Sequence, residues 1–289
     1  MKIAIASGKG GTGKTFVSTN LFKTFESLGH STLLLDCDVE CPNSLLFFDL
    51  KKISDTKVTE YRPIIDADKC VYCGLCYEYC EYKAIFYVPE LKHIKVLDNL
   101  CHGCKACSIA CKHGAIEDSS TEIGNVSFFS DSKSHIFIEG RLKEGKIASI
   151  PIIKSAIKEA SLLSYEYLLM DSSPGTSCPF IQTAVRADYI VLVAEPTPFG
   201  LSDLKQSVET LDSLNKDYGV IINRSGLGDI EVYDYLKKND IPIIAEIPFS
   251  KEIARCYSEG KLAVSYLSET KELFEVICNK IIKNGNSIS

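Results

Sequence analysis

The sequence predicts an α/β protein, a parallel sheet covered by helices on both faces, interrupted near its N-terminal end by a small α+β module. Three observations carry this. Short apolar runs alternate with helical patterns over most of the chain, as strands and crossover helices do in parallel sheets. A glycine-rich stretch, GKGGTGKT at 8–15, separates the first apolar run from the first helical pattern. Two cysteine runs, CVYCGLCYEYC and CHGCKACSIAC, share one internal spacing and lie 31 residues apart.

The elements follow in order. Residues 3–6 (IAIA) form a buried strand, and a helix follows from about Lys14 to Leu28, with Gly29 as its C-cap. Residues 32–35 form a second strand ending in Asp36 and Asp38. The stretch 62–118 breaks the rhythm with its cysteines, tyrosines and short elements, and a loop-rich stretch follows it. Helix returns at 152–164, and strands are expected at 167–170, 189–194, 218–222 and 241–247. Pro242 marks the start or an edge of the last. Helical patterns fill 200–215, 229–239, 250–259 and 269–283.

Composition narrows the class. The chain has 289 residues, 45% of them hydrophobic, enough for one large domain and one small one. No apolar run approaches the roughly 20 residues of a membrane helix. The N-terminus enters a strand directly, without a signal-peptide pattern, so a cytoplasmic protein is expected. A net charge of −6 without a dominant basic stripe argues against sequence-independent nucleic-acid binding.

Gly8 to Thr15 fits G-x-x-x-x-G-K-[ST] and lies between a strand and a helix, where a phosphate-binding loop must lie. The glycines Gly8, Gly10, Gly11 and Gly13, with Thr12, let backbone N–H groups turn toward phosphate oxygens, and the helix N-terminus adds its positive end. Lys14 would reach the β- and γ-phosphates, and the Thr15 hydroxyl would bind Mg²⁺. This predicts a P-loop NTPase that takes ATP or ADP with Mg²⁺.

A second lysine, Lys9, stands early in the loop. With it the loop resembles the deviant Walker-A group, the MinD/Mrp/ParA-type ATPases, to which the nitrogenase iron protein also belongs. In that group this lysine reaches nucleotide bound by the other subunit, so the resemblance implies a homodimer with ATP at its interface. LLLDCDVECPN (33–43) resembles the group's second acidic motif, which makes Asp38 the residue that positions the attacking water and puts Asp36 nearer the Mg²⁺ shell. Lys9, Lys14 and Asp38 are the catalytic residues this implies. YLLMDSSPG (167–175) resembles Walker B merging into switch II: Asp171 would contact Mg²⁺ through water, and the Gly175 N–H would lie near the γ-phosphate. VIINR (220–224) resembles the adenine-recognising segment, with Asn223 facing the base, and the loop near Pro248 is expected to touch it. The three acidic and Gly-rich loops all fall at C-terminal ends of expected parallel strands, the edge where open α/β sheets bind ligands.

Thirteen cysteines in a cytosolic chain point to metal rather than disulfides. C-x₂-C-x₂-C-x₃-C occurs twice, the spacing of bacterial two-cluster ferredoxins, in which the fourth cysteine of each run ligates the other cluster. Cys70, Cys73, Cys76 and Cys111 would then hold one [4Fe–4S] cluster, and Cys101, Cys104, Cys107 and Cys80 the other. Zinc competes for C-x₂-C pairs, but its sites are usually two separated pairs, and a duplicated run of four fits cubanes better. Glu81 and Lys112 stand where that motif normally has proline. The expected organisation is an ATPase domain of 1–59 and 119–289 with a ferredoxin domain of 60–118 inserted in it, as in MinD-superfamily ATPases with an inserted ferredoxin.

Cys178 lies at an offset from Asp171 similar to that of a cluster-bridging cysteine in the nitrogenase iron protein, but Cys41 would be a poor second ligand, so Cys178 is read as a small residue packed at a helix start, with the bridging role as the alternative. Cys37, Cys256 and Cys278 are expected to pack as small apolar residues. The 271–283 tail places Leu273, Phe274, Ile277, Cys278, Ile281 and Ile282 on one helical stripe, read as a packing face rather than a membrane helix. A redox or metal-cofactor ATPase is the preferred reading, with assembly or delivery of metal cofactors and ATP-gated electron donation left undivided; MinD/ParA-like spatial organisation with structural clusters is the alternative. The first two require a redox or apo-metalloprotein partner.

Overall fold

A computed structural model describes residues 1–131 and 136–286. The chain divides into two compact units, one of Met1–Asp55, Val126–Arg141 and Ile153 onward, the other of Thr56–Asn125 and Leu142–Ile152.

The first unit is built on β1 (Lys2–Ala6), β2 (Thr32–Asp36), β7 (Ile136–Leu142), β8 (Tyr167–Asp171), β9 (Tyr189–Ala194), β10 (Tyr218–Ser225) and β11 (Ile243–Pro248). They lie in the order β11-β10-β9-β1-β8-β2-β7, and every neighbouring pair is parallel. The register sets Ile5 beside Asp171 and Asp36 beside Asp171, so the ends of the three central strands are level. β9 is buried along its whole length and β1 over Ile3–Ala6, as strands covered on both faces must be.

Two further strands, β3 (Lys51–Ile65) and β6 (Ile116–Ser130), complete the sheet order as β7-β6-β3 and carry the chain between the two units. The loop expected after residue 118 is therefore strand over most of its length: β6 and β7 occupy it. These strands were illegible because Lys51–Lys57 is exposed on both faces and β6 is rich in Ser, Asp and Glu, so neither shows the apolar alternation that reports a half-buried strand.

Helix α1 (Lys14–Ser27) is buried nearly all round, with eleven of its fourteen residues inside. Its polar residues are satisfied locally: Thr19 Oγ1 donates to Thr15 O (2.7 Å), Asn20 Nδ2 donates to Phe16 O (2.8 Å), and Asn20 Oδ1 accepts from Val264 N (3.0 Å). Gly29 follows the helix end at φ +88°, the left-handed C-terminal stop that glycine favours. The last helix, α9 (Ser268–Asn286), closes the core over α1. Its Phe274, Ile277, Cys278 and Ile281 are fully buried, and Phe274 meets Phe16 edge-to-face at 5.7 Å. Each such side chain contributes roughly 1.5–3 kcal/mol, so the tail stripe is a core face. Among the described residues no helix is long and apolar enough to cross a membrane.

The second unit holds a two-stranded antiparallel sheet, β4 (Ile85–Val88) with β5 (His93–Val96), and two short helices, α2 (Leu75–Glu78) and α3 (Ala106–Ala110). Its small core is Cys80, Ala84, Ile85 and Cys107, so half of it is cysteine.

Candidate functional site

The loop between β1 and α1 lines a cavity of about 560 Å³ at the C-terminal edge of the sheet, with Lys9, Gly10, Gly11, Gly13, Lys14 and Thr15 on one side and Pro248, Phe249, Ile253 and Tyr257 on the other. That is the size of a small-molecule site. The glycines serve different ends. Gly13 opens α1 at φ +95°, and a Cβ there would lie 2.2 Å from Asn223 Nδ2. A Cβ at Gly8 would meet the Asp203 backbone at 2.4 Å. At Gly10 and Gly11 nothing lies within 4 Å, and both border the cavity: the space a side chain would fill is left open to a ligand.

Four charged groups meet below the loop. Lys14 Nζ pairs with Asp171 Oδ1 at 2.8 Å, with Lys14 7% and Asp171 0% exposed. Asp171 Oδ2 accepts from Ser44 Oγ at 2.9 Å. Burial works against the Lys14 ammonium, but the facing Asp171 overrides it and its pKa is raised. Asp36 is fully buried; Oδ1 accepts from Asp38 N, and Oδ2 from Asn43 N and Ser44 N, all at 3.0 Å. Burial, reinforced by Asp171, raises its pKa to about 7. Asp38 borders the cavity, and burial, opposed by Lys14, raises it to about 6.

Other residues singled out in the sequence sit as follows. Asn223 reaches the loop itself: Nδ2 donates to Thr12 O at 2.7 Å. Gly175 N donates to Ser7 O at 2.9 Å. Lys9 Nζ lies 3.8 Å from both Glu195 Oε2 and Asp203 Oδ2. Cys37 and Cys278 are fully buried and Cys256 is half-buried, whereas Cys41 is exposed, and Cys178, though it does open α5 (Cys178–Ala184), is exposed there rather than packed as expected.

In the second unit the eight motif cysteines divide four and four. Cys70, Cys73, Cys76 and Cys111 line one small cavity; Cys101, Cys104, Cys107 and Cys80 line another. The backbone repeats with the sequence. Positive φ occurs at Tyr72 and Gly103, at Gly74 and Lys105, and at Lys83 and Gly114, three pairs at the same offset of 31. Three of these six are not glycine, and residues held there cost energy that functional sites commonly bear. The hydrogen bonds repeat crosswise: Asp66 N donates to Ala115 O (2.8 Å) and Leu97 N to Ala84 O (2.7 Å), each half closing on the other. Among the described residues no three His, Cys, Asp or Glu side chains converge as a single ion requires.

A profile of the CobQ/CobB/MinD/ParA nucleotide-binding domain matches residues 3–264. The chain belongs to that family. A protein of Methanocaldococcus jannaschii described as uncharacterised is 35% identical over 280 residues, covering 95% of each chain. The iron–sulfur cluster carrier protein of Aquifex aeolicus is 23% identical, over 96% of this chain and 68% of its own. Among solved structures, the septum site-determining protein MinD complexed with Mg-ADP from Pyrococcus horikoshii superposes with a TM-score of 0.61 at 20% identity, covering 100% of this chain and 98% of that one. The fold is the parallel-sheet P-loop NTPase fold of the MinD/ParA type.

Within this nucleotide-binding family fold, sequence reasoning missed several neighbours of the loop. Ser44 and Asn43 tie the 37–44 segment to Asp36 and Asp171. Glu195, 8% exposed, gathers Lys9 and Arg224, whose Nη1 lies 2.5 Å from its Oε1. Glu195 directly follows β9, the strand-end position that drew attention to Asp36 and Asp171, so the same signal was available for it.

Proposed function

We propose that this chain is an ATP-hydrolysing iron–sulfur protein that couples its nucleotide state to cluster delivery or electron transfer. The observation that carries the proposal is the division of eight cysteines, in crossed sets of four, around two cavities in a chain that also holds a P-loop cradle. The second unit is read as an inserted ferredoxin domain. Its cysteines, Cys70, Cys73, Cys76 and Cys111 in one set and Cys101, Cys104, Cys107 and Cys80 in the other, would each hold a [4Fe–4S] cluster. When bound, such clusters supply one-electron redox chemistry.

In the ATPase unit, Lys14 exchanges Asp171 for the β- and γ-phosphates, and backbone N–H groups of Gly10 to Thr15 surround the phosphate oxygens. The Thr15 hydroxyl would hold Mg²⁺, which neutralises phosphate charge when bound, and the freed Asp171 carboxylate would contact it through water. Asp38, at the cavity wall, orients the attacking water. Lys9 leaves Glu195 and Asp203 for the nucleotide of a second copy, which makes the active form a homodimer. The relative described as an iron–sulfur cluster carrier supports the delivery arm, and the paired cavities support the electron arm. The MinD likeness supports spatial organisation as a second reading, tested by ATP-dependent binding to liposomes or DNA.

Anaerobic purification with an iron count, followed by redox titration with and without MgATP, tests the main reading. About eight irons per chain and potentials that move with nucleotide are expected. An iron-poor protein after reconstitution, or one that fails to retain MgATP, would remove it.

A further inference from the structure

The two cysteine cavities are related by sequence and backbone, yet each loop is braced by a different side chain. At the first, the Tyr87 hydroxyl donates to the Tyr72 carbonyl, and the Tyr87 ring lies against Gly74, where an added Cβ would come within 2.9 Å of it. At the second, Arg62 Nη1 donates to the carbonyl of Cys101, one of the cavity's own cysteines. Arg62 is 8% exposed, and among the described residues its Nε has no hydrogen-bond partner. Its ionic partner is Glu60, with Nη2 3.1 Å from Oε2. The duplication itself offers no counterpart: the residues 31 places on are His93 and Leu91, both exposed. Exposed pairs flank both halves, Lys69 with Asp66 and Glu117 at the first and Lys105 with Asp118 at the second, where solvent screens them. The buried Arg62–Glu60 pair is a difference between the halves that the duplication does not repeat.

Resting on the reading of the cavities as cluster sites, we infer that Arg62 makes the two sites electrically unequal, so that the cluster held by Cys101, Cys104, Cys107 and Cys80 has the higher reduction potential. Reduction adds a negative charge. A charged donor hydrogen-bonded to the ligand loop stabilises that charge more than a phenol does, and a buried charge is poorly screened. Glu60 offsets part of the field, but the hydrogen bond to the loop comes from the guanidinium alone. A single electron shared between the clusters therefore rests at the second site. Arg62 is a positioning residue; it touches no reacting atom.

The test is an EPR-monitored redox titration of the reconstituted full chain with dithionite, run on wild type and four variants. Arg62→Gln is expected to lower the higher of the two potentials so that its reduced-to-oxidised ratio at fixed potential falls about tenfold, equivalent to about 59 mV. The other potential should stay in place. Arg62→Lys should recover part of that loss, Tyr87→Phe should move only the lower potential, and Glu60→Gln should raise the one that Arg62→Gln lowers. If Arg62→Gln fails to load its cluster, the opposite-signed change in Glu60→Gln decides. A wild type without clusters overturns the cluster reading and this inference together. Two intact clusters whose potentials ignore Arg62 and Glu60, or Arg62→Gln acting on the lower one, overturn this inference alone.

Discussion

Lys14 and Asp171 form a closed ion pair, Nζ to Oδ1 at 2.8 Å, beneath the phosphate loop and out of solvent. Each neutralises the other where neither could stand charged alone. Removing one partner of a buried pair leaves an uncompensated charge, a loss of roughly 3–5 kcal/mol. Lys14→Met should therefore lower stability by about that much in chemical denaturation and abolish ATP retention in equilibrium dialysis. Unchanged stability would mean that the pair contributes nothing to the folded state.

Asp36 gives stability a pH dependence. Its pKa rises from 3.8 to about 7 on folding, so between those values the folded state holds a proton that the unfolded state has released. The contribution is greatest below pH 3.8, declines as pH rises toward about 7, and is flat above that. Each tenfold gain in proton affinity on folding is worth about 1.4 kcal/mol. Asp36→Asn keeps an acceptor for the 37–44 segment and removes the titration. Denaturation across pH 4–8 should show a flatter slope for the variant than for wild type; parallel slopes would assign the dependence elsewhere.

Asp38 should govern hydrolysis without touching the second unit. Its pKa of about 6 places the loss of its charge just below neutrality, so wild-type ATPase should fall as pH drops through that value. Asp38→Asn should lower turnover by about 10²–10⁴-fold, the usual range for a positioned proton acceptor, and lose that acidic limb. Phosphate release and visible absorbance, read together, check it. If iron absorbance disappears along with turnover, the substitution has unfolded the chain.

What the sequence made legible follows from how locally each feature is specified. The β1 strand, the glycine loop and α1 are fixed by residues within one stretch, and Gly29 marks the helix end at the expected place. The tail stripe, with Phe274 and Ile277 in the core, was readable from its period alone. β3 and β6 were not, because exposed polar strands carry no apolar alternation. Asn43 and Ser44 were invisible for another reason: their backbone N–H groups find Asp36, and Ser44 Oγ finds Asp171, 127 residues away in the chain. The 31-residue repeat marked a duplicated unit, but only the folded chain reveals that Asp66 and Leu97 take their hydrogen-bond partners from opposite halves.

The crossing has a quantitative consequence for cysteine variants. Cys70 and Cys111 border one cavity, Cys80 the other, though Cys80 is nearer to Cys70 in the sequence. Cys70→Ser and Cys111→Ser should each cost one cluster, about four of eight irons, and the double variant should lose no more. Cys70→Ser with Cys80→Ser should lose both. Iron analysis with EPR spin counting reads this directly. The reverse pattern would assign each run of four to its own site.

Asn223 is the residue for which site and scaffold compete. Its amide donates to Thr12 O at 2.7 Å and fills the space above Gly13, so it braces the phosphate loop from the end of β10 rather than projecting freely toward a base. Asn223→Ala would strand a buried carbonyl, at about 1–3 kcal/mol. The loop meets phosphates, which all nucleoside triphosphates share. Affinities for ATP and GTP should therefore weaken by the same factor, measured by competition against a fluorescent nucleotide. A loss confined to adenine nucleotides would instead assign the amide to base recognition and make the Thr12 contact one that opens when ATP enters.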